Sequence, residues 1–226
     1  LGAGPAADAF LVALKLPNMF RRLTAEGALA NAFVPTFADL RSSDSHASAM
    51  RLAGEVQTTL MFVLLALVVV TEWYMPAIID MLAPGFADTP DRMEAAVDLA
   101  RVTFPYLPMI SLVAFWAALA NAHDRFSAAA LMPVIFNICL IAGALALPFW
   151  GVADARAMPL ALALLSAGGI QLVVMAVVLT RARIMPRWHT PRMVLAARQM
   201  WRRFVTASAG AVAMQVNLIV DLVLAS

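Results

Sequence analysis

The sequence predicts an all-α fold, a polytopic transmembrane helical bundle of about six spans. Of its 226 residues, 63% are hydrophobic and 13% are charged, whereas soluble domains are close to half apolar and one quarter charged. Apolar runs of about 20 residues, the length needed to cross a bilayer, recur along the chain. A soluble bundle would carry polar stripes on its helices, and a membrane barrel would alternate with period two over shorter strands. The sequence has neither pattern.

The first predicted span runs from about residue 6 to about 23 and contains Pro17, which should kink or break it. A turn-like stretch at 24–27 leads to a second, milder apolar piece at 28–40. The remaining spans are predicted at about 57–82, 99–120, 127–149, 157–180 and 204–226. Within the 127–149 span, Pro133 and Asn137 are expected to bend the helix or link it to a neighbour.

The polar connections between the spans predict the orientation in the membrane. The connection at 181–203 holds seven arginines and no acid, which marks it as cytoplasmic under the positive-inside rule. Counting back places 41–55 and 121–126 in the cytoplasm as well, with the acidic 84–98 and the short 151–156 outside. Topology and anionic headgroups explain the arginines more simply than nucleic acid does, so no nucleic-acid partner is expected.

Few residues offer catalytic or metal-binding chemistry. The single cysteine, Cys139, excludes an intramolecular disulfide and any multi-cysteine metal site, and it is expected to pack as a small hydrophobe. His46, His123 and His189 lie in three separate polar connections. We therefore predict no catalytic residue and no metal site.

Charged residues within the first span are the most informative feature of the sequence. At 100° per residue, Asp8, Lys15, Arg22 and Glu26 fall within about 40° of one another, whereas Arg21 lies on the other side of a straight helix. A charge at mid-bilayer costs about 2.5–3.5 kcal/mol, so these side chains face a wet cavity, pair with one another or lie near the headgroups. In a cavity, arginines would offer bidentate donors to phosphate. The periodicity supports cavity and interface equally.

Asp221 is a second intramembrane acid, deep in the last apolar run beside Gln215 and Asn217. An unpaired carboxylate at that depth suggests a site for a coupling ion or proton, and a hydrogen bond to a neighbouring helix is the equally supported alternative. Glu72 and Asp80 lie toward the outer end of their span and are expected at the interface.

Several stretches resemble one protein family. DAFLVALKLPNMFRRLTAEGALANAFVP (8–35) is similar to the second-helix signature of the MurJ (MviN) family of lipid II flippases. APGFAD, TFPYLPMISL, NAHDRFSAAALMPVIFN and QVNLIVDLVLAS follow at family-like spacing. The resemblance implies the multidrug/oligosaccharidyl-lipid/polysaccharide exporter fold, which has two six-helix lobes. Residues 1–226 would form a single transmembrane lobe, most of the N-terminal one, without the family's first helix.

The resemblance also implies an activity. It implies a membrane transporter of the bacterial inner membrane, not an enzyme, which flips undecaprenyl-pyrophosphate-linked peptidoglycan precursor (lipid II) to the outer leaflet by alternating access for cell-wall synthesis. The implied partners are lipid II and membrane lipids, and the implied transporter is a monomer. It would need no cofactor apart from a coupling ion, Na⁺ or H⁺.

The resemblance assigns roles to the charged residues. It places Arg21 in the central cavity as a ligand of the substrate pyrophosphate, makes Asp8 important for activity, and gives Glu26 a part in a cytoplasmic gate. It implies that Asp221 helps to bind the coupling cation. The family favours Arg21 where the helical wheel favours Arg22, and because Pro17 disturbs the wheel we follow the family. Arg22, Asp8 and Lys15 remain further substrate-binding candidates. The resemblance thereby favours the cavity over the interface.

Other functions remain open. One is a related exporter of another lipid-linked oligosaccharide or of drugs. Another is an intramembrane enzyme acting on polyprenyl phosphates, which would need clustered carboxylates or a histidine near a membrane face, whereas the acids here are dispersed. A non-transporting scaffold would tolerate neutral substitutions in the charged stripe. Because the chain starts at Leu1 without an initiator Met and stops within an apolar run, we expect it to be a fragment of a longer protein.

Overall fold

The computed structural model describes residues 9–14, 28–86, 89–149, 157–190 and 197–206, and the structural statements below concern these residues. They form helices and connecting turns, with no strand among them, so the all-α prediction is confirmed. Residues 9–14 and 197–206 are helical, and 3₁₀ turns occur at Pro84–Phe86 and Leu147–Phe149. The longer helices among the described residues are α1 (Ala28–Ser43), α2 (His46–Leu82), α3 (Pro90–Thr103), α4 (Tyr106–Asn121), α5 (Phe126–Ala146) and α6 (Met158–Arg181).

Four stretches are long and apolar enough to cross a membrane. They are His46–Leu82, Pro90–Asn121, Phe126–Phe149 and Met158–Arg181, and they correspond to the predicted spans at 57–82, 99–120, 127–149 and 157–180. The predicted spans at 6–23 and 204–226 fall largely outside the described residues.

Helix α2 begins well before the predicted span, so the prediction of a polar connection over 41–55 is wrong for most of its length. The Ser45 side chain caps the helix by accepting a hydrogen bond from the backbone N–H of Ser48 at 3.2 Å. The following turns bury an apolar face made of Ala49, Leu52, Ala53 and Val56. Because this face packs into the bundle, the helix begins before the apolar part of its sequence, and only Asp44 and Ser45 separate α1 from α2.

The acidic connection predicted at 84–98 is also partly helical. Helix α3 begins at Pro90, in the first turn where a proline's missing N–H costs no hydrogen bond. Asp91 in the same turn interacts favourably with the positive end of the helix dipole. Helices α3 and α4 then meet at Phe104 and Pro105 and together form one span.

Small residues allow the spans to approach one another closely. A Cβ added at Gly143 of α5 would lie 2.5 Å from the Cβ of Ala163 in α6. Gly168 of α6 likewise faces Tyr106 of α4. Elsewhere aromatic rings fill the core, with the Phe33 and Phe115 rings joining α1 to α4 at a centroid distance of 4.8 Å. Close contact through small residues is the usual way in which membrane helices associate.

The connections predicted to be cytoplasmic meet at one end of the bundle. Arg41 at the end of α1 donates from Nη1 to the carbonyl oxygen of Ala122, in the turn after α4, at 3.3 Å. The backbone N–H of His189, beyond the end of α6, donates to Thr58 Oγ1 of α2 at 3.2 Å. The basic connection predicted at 181–203 therefore lies against α2 in its first part. Its last part is helical, since the helical segment 197–206 begins before the predicted start at 204.

Candidate functional site

The side chains that the sequence proposes for transport lie outside the described residues. They are Asp8, Lys15, Arg21, Arg22, Glu26 and Asp221. Residues 9–14 nevertheless fall between the first two of them in the chain. Their burial therefore reports which side of this helical segment packs into the bundle.

Residues 9–14 bury one side. Ala9, Val12 and Ala13 are 1%, 7% and 0% exposed, and Thr103 Oγ1 donates to the carbonyl oxygen of Ala13 at 3.4 Å. Leu11, by contrast, is 60% exposed. The segment therefore presents an apolar side to the α3–α4 junction and leaves Leu11 largely exposed.

An apolar groove of about 720 Å³ lies beside this segment. It is bounded by residues 9–14, α4, α5 and α6, through side chains such as Phe10, Ile110, Phe136 and Leu164. Pockets of this size accommodate drug-sized apolar groups. Because its walls are membrane spans with apolar side chains, the groove suits hydrocarbon rather than a charged headgroup.

Two buried amides hold pairs of spans together. Trp116 Nε1 donates to Gln57 Oε1 at 2.7 Å and links α4 to α2. Gln171 Nε2 donates to the carbonyl oxygen of Met132 at 2.8 Å and links α6 to α5. Gln57 Nε2 and Gln171 Oε1 are buried and have no hydrogen-bond partner among the described residues. The sequence analysis missed both residues, although a glutamine inside an apolar run is itself a signal, because its amide must find partners between helices.

Glu55 is a buried acid that the sequence analysis assigned to a polar connection. It is only 2% exposed, and its Oε1 lies 3.4 Å from Nε of Arg51, one turn earlier. The pair is within ion-pair distance, yet neither carboxylate oxygen has a hydrogen bond of good geometry within the described part of the chain. A buried charge costs several kcal/mol unless it is paired, so Glu55 depends on Arg51. In the sequence, the Arg-x-x-x-Glu spacing of Arg51 and Glu55 indicates such an ion pair on a helix.

A second acid of α2 pairs near the other end of the helix. Glu72 Oε2 lies 4.0 Å from Nε of Arg101 in α3, and the two side chains are 29% and 47% exposed. Asp80 is exposed, as is Trp73 nearby. The interfacial placement of Glu72 and Asp80 stays a prediction.

Two histidines from different connections meet at the predicted cytoplasmic end. The His46 and His123 rings are 5.7 Å apart and perpendicular, and Phe37 packs edge-on against His123. Sequence reasoning treated these histidines as scattered. Among the described residues, no group of three or more potential metal ligands is formed, and the expectation that the protein binds no metal stays a prediction.

The environment of His123 favours its neutral form. Burial lowers the pKa of His123, the hydrogen bond between Nδ1 and the carbonyl oxygen of Leu119 opposes this effect, and the positive charge of Arg41 lowers the pKa further. Nδ1 lies 2.9 Å from that oxygen. The net effect is a pKa below the usual range of histidine.

Comparison with known proteins gives a consistent result along the whole chain. The model of the family described as lipid II flippase MurJ matches residues 1–226. The chain is 39% identical to a probable lipid II flippase MurJ of Rhizobium meliloti (strain 1021), over 100% of this chain and 43% of that protein. It is 35% identical to a probable lipid II flippase MurJ of Rhizobium tropici, again over 100% of this chain and 43% of that protein. The chain thus spans less than half the length of these curated relatives.

A solved structure shares the fold. Lipid II flippase MurJ in an inward closed conformation superimposes with a TM-score of 0.75 at 21% sequence identity, over 97% of this chain and 44% of that one. The match agrees with the predicted exporter-type arrangement of helices.

Proposed function

The chain belongs to the MurJ family, and we propose on that basis that the protein flips lipid II, the undecaprenyl-pyrophosphate-linked peptidoglycan precursor, from the cytoplasmic to the outer leaflet. It is a multi-pass protein of the bacterial inner membrane. Transport would proceed by alternating access, in which one lobe rocks against another around a central substrate site. The observation that carries the proposal is the family match over residues 1–226.

The packing of residues 9–14 supports a cavity role for the charged stripe. On a wheel of 100° per residue, Asp8 and Lys15, the two charges that precede Pro17, lie about 50° from the exposed Leu11 and about 100° from the centre of the buried side. We therefore expect the stripe on the side turned away from this bundle. Lipid is a poor environment for such charges, so that side is expected to face a wet cavity between lobes.

Each charged residue receives a distinct role in this proposal. Arg21 binds the pyrophosphate through two parallel N–H groups, the geometry in which guanidinium recognises phosphate best, and Arg22 and Lys15 add positive charge. Asp8 would keep the arginines oriented when the substrate is absent. Glu26 contributes to a cytoplasmic gate by pairing with a cation in one of the two states.

Asp221 is proposed to couple transport to an ion. A carboxylate in an apolar span binds Na⁺ or a proton most strongly when it has no basic neighbour, and no basic residue lies within one turn of Asp221 in the sequence. We further propose that the protein acts as a monomeric transporter without catalytic chemistry, nucleic-acid partner or permanent cofactor.

A complementation experiment tests the main proposal. The full-length gene is expressed in bacteria depleted of their own lipid II flippase, and growth is measured at matched protein abundance. The unmodified gene should restore growth, and Arg21→Ala should abolish the rescue. Arg198→Ala is the matched control, because Arg198 is an exposed arginine outside the predicted stripe and its loss should leave growth unchanged.

The outcomes distinguish the roles of Arg21 and Arg22 and test whether Asp221 couples transport to an ion. If Arg21→Ala restores growth as well as the unmodified protein does, Arg21 is not part of the pyrophosphate site. If only Arg22→Ala fails to restore growth, the site belongs to Arg22, as the helical wheel indicates. Asp221→Asn should make growth insensitive to external Na⁺ or pH. An unchanged ion dependence in that variant would contradict the coupling role.

A further inference from the structure

We propose that a cationic depression at the predicted cytoplasmic end binds the phosphate of an anionic phospholipid. The cationic depression is defined by its lining residues, has a volume of about 360 Å³ and lies between the first turns of α2 and the irregular segment that follows α6. Its lining residues are Ala47, Met50, Arg51, Met185, Arg187 and His189.

The far wall of the cationic depression is held in place by close backbone packing. A Cβ at Gly54 would overlap the carbonyl oxygen of Arg187, so only glycine lets the segment approach α2 this closely. The N–H of His189 donates to Thr58 Oγ1 at 3.2 Å, and its ring nitrogen Nδ1 lies 2.8 Å from the same Arg187 carbonyl oxygen. Two contacts on one face of α2 thus fix the backbone from which Arg187 and His189 extend.

The charge of the cationic depression favours an anion. Among the described lining residues none is acidic, and Glu55, one turn after Arg51 in α2, is paired with that arginine. Arg187 forms no ion pair with any described residue. The first turn of α2 adds the positive end of a 37-residue helix, which attracts phosphate through its dipole.

The surroundings favour a lipid over a soluble phosphate. Met50 and Met185 give the cationic depression apolar walls, and Trp188 beside it is 57% exposed. Tryptophan at such a position is typical of the headgroup region, where basic pockets between membrane helices bind anionic headgroups. Phosphatidylglycerol combines the required phosphate with acyl chains that the methionines and Trp188 can contact. This inference does not depend on which substrate the protein transports.

The test compares short-chain lipids on the purified full-length protein in detergent. Dioctanoyl phosphatidylglycerol and dioctanoyl phosphatidylcholine are titrated separately, and the bound fraction is counted by native mass spectrometry. Phosphatidylglycerol should bind more tightly than phosphatidylcholine. Arg187→Gln should weaken phosphatidylglycerol about tenfold, the effect of losing one hydrogen bond to a charged group, and should leave phosphatidylcholine unchanged.

Arg198→Gln is the matched control, since Arg198 is exposed on the same basic connection but does not line the depression. It should keep the phosphatidylglycerol affinity of the unmodified protein. An equal loss in both variants would show diffuse attraction to the basic connection and overturn the site. Equal binding of the two lipids would overturn the charge argument. Displacement of phosphatidylglycerol by an equal concentration of inorganic phosphate would overturn the choice of a lipid.

Discussion

Two adjacent glycines in α6 make opposite predictions when each is replaced by alanine. A Cβ at Gly168 would lie 2.8 Å from Cδ2 of Tyr106 and 3.1 Å from Sδ of Met109, both on α4. A Cβ at Gly169 meets no atom of the described residues within 4 Å. Because both positions are in the interior of one helix, any gain in helix propensity is shared, and the difference between the two variants isolates the steric effect.

The magnitude follows from these distances. Alanine in place of glycine stabilises a helix interior by about 1 kcal/mol, so Gly169→Ala should raise the free energy of unfolding by up to that amount. Overpacking of a close contact costs about 1–3 kcal/mol. Gly168→Ala should therefore range from neutral to about 2 kcal/mol less stable than the unmodified protein, and it should be about 1–3 kcal/mol less stable than Gly169→Ala.

Unfolding of the purified protein in detergent, followed by intrinsic tryptophan fluorescence during heating, measures the difference. Gly169→Ala should unfold at a higher temperature than the unmodified protein, and Gly168→Ala at a lower temperature than Gly169→Ala. Equal midpoints for the two variants would refute the close contact between α6 and α4 from which the prediction starts.

Three further predictions concern the predicted cytoplasmic half of the bundle. Gly54→Ala should displace the segment carrying Arg187 and increase its cleavage by trypsin, whereas Gly169→Ala should leave cleavage unchanged. Gln57→Leu and Trp116→Phe should each destabilise the protein by about 1–3 kcal/mol, because each leaves a buried polar group unpaired, and the double variant should cost less than the sum in a double-mutant cycle. The pKa of His123 is lowered in the folded state, so its contribution to stability is complete above about pH 6.5 and is lost as the pH falls below that value. Unfolding midpoints measured between pH 7.5 and 5.5 should therefore decline less steeply in His123→Gln than in the unmodified protein. Equal slopes for the two proteins would contradict a lowered pKa.

The positions of the spans could be predicted from the sequence, whereas the ends of the helices could not. Hydropathy identifies the part of α2 that lies in hydrocarbon, because only apolar side chains are tolerated there. Its first turns, beginning at His46, are polar on one side and are helical because Ala49, Leu52 and Ala53 pack against other elements. Hydropathy averaged over a window does not distinguish such an amphipathic extension from a loop. The same reason explains why α3 begins at Pro90 rather than at 99.

The candidate site was predictable as a set of residue types, but not as a surface. The periodicity of the charged residues between Asp8 and Glu26 leaves cavity and interface equally supported, because both require the same spacing of charges. The burial of Ala13 and the exposure of Leu11 depend on where α3 and α4 lie, which is tertiary information. Glu55 escaped prediction for a related reason, since its burial results from tertiary packing around a helix that looked like a loop.

The contacts at the predicted cytoplasmic end make a prediction about how the protein moves. Arg41 joins α1 to the turn between α4 and α5, and Arg203 Nη1 joins the helical segment 197–206 to Thr36 of α1 at 3.3 Å. The close approach at Gly54 joins the segment after α6 to α2. Because these contacts tie together elements from distant parts of the chain, we expect this end to move as one rigid unit. Alternating access would then be a motion of this unit against the rest of the protein.

Spin labels test this rigidity. Ser43 at the end of α1 and Ser127 at the start of α5 are both exposed at this end, so each can be replaced by cysteine in a Cys139→Ser background and labelled. The distance between the labels should form one distribution that stays unchanged when lipid II is added to the full-length protein. A shift of about one helical turn, roughly 5 Å, would show that α1 and α5 move relative to each other during transport. The rigid-unit argument would then be wrong, because the Arg41 contact would have to break in each cycle.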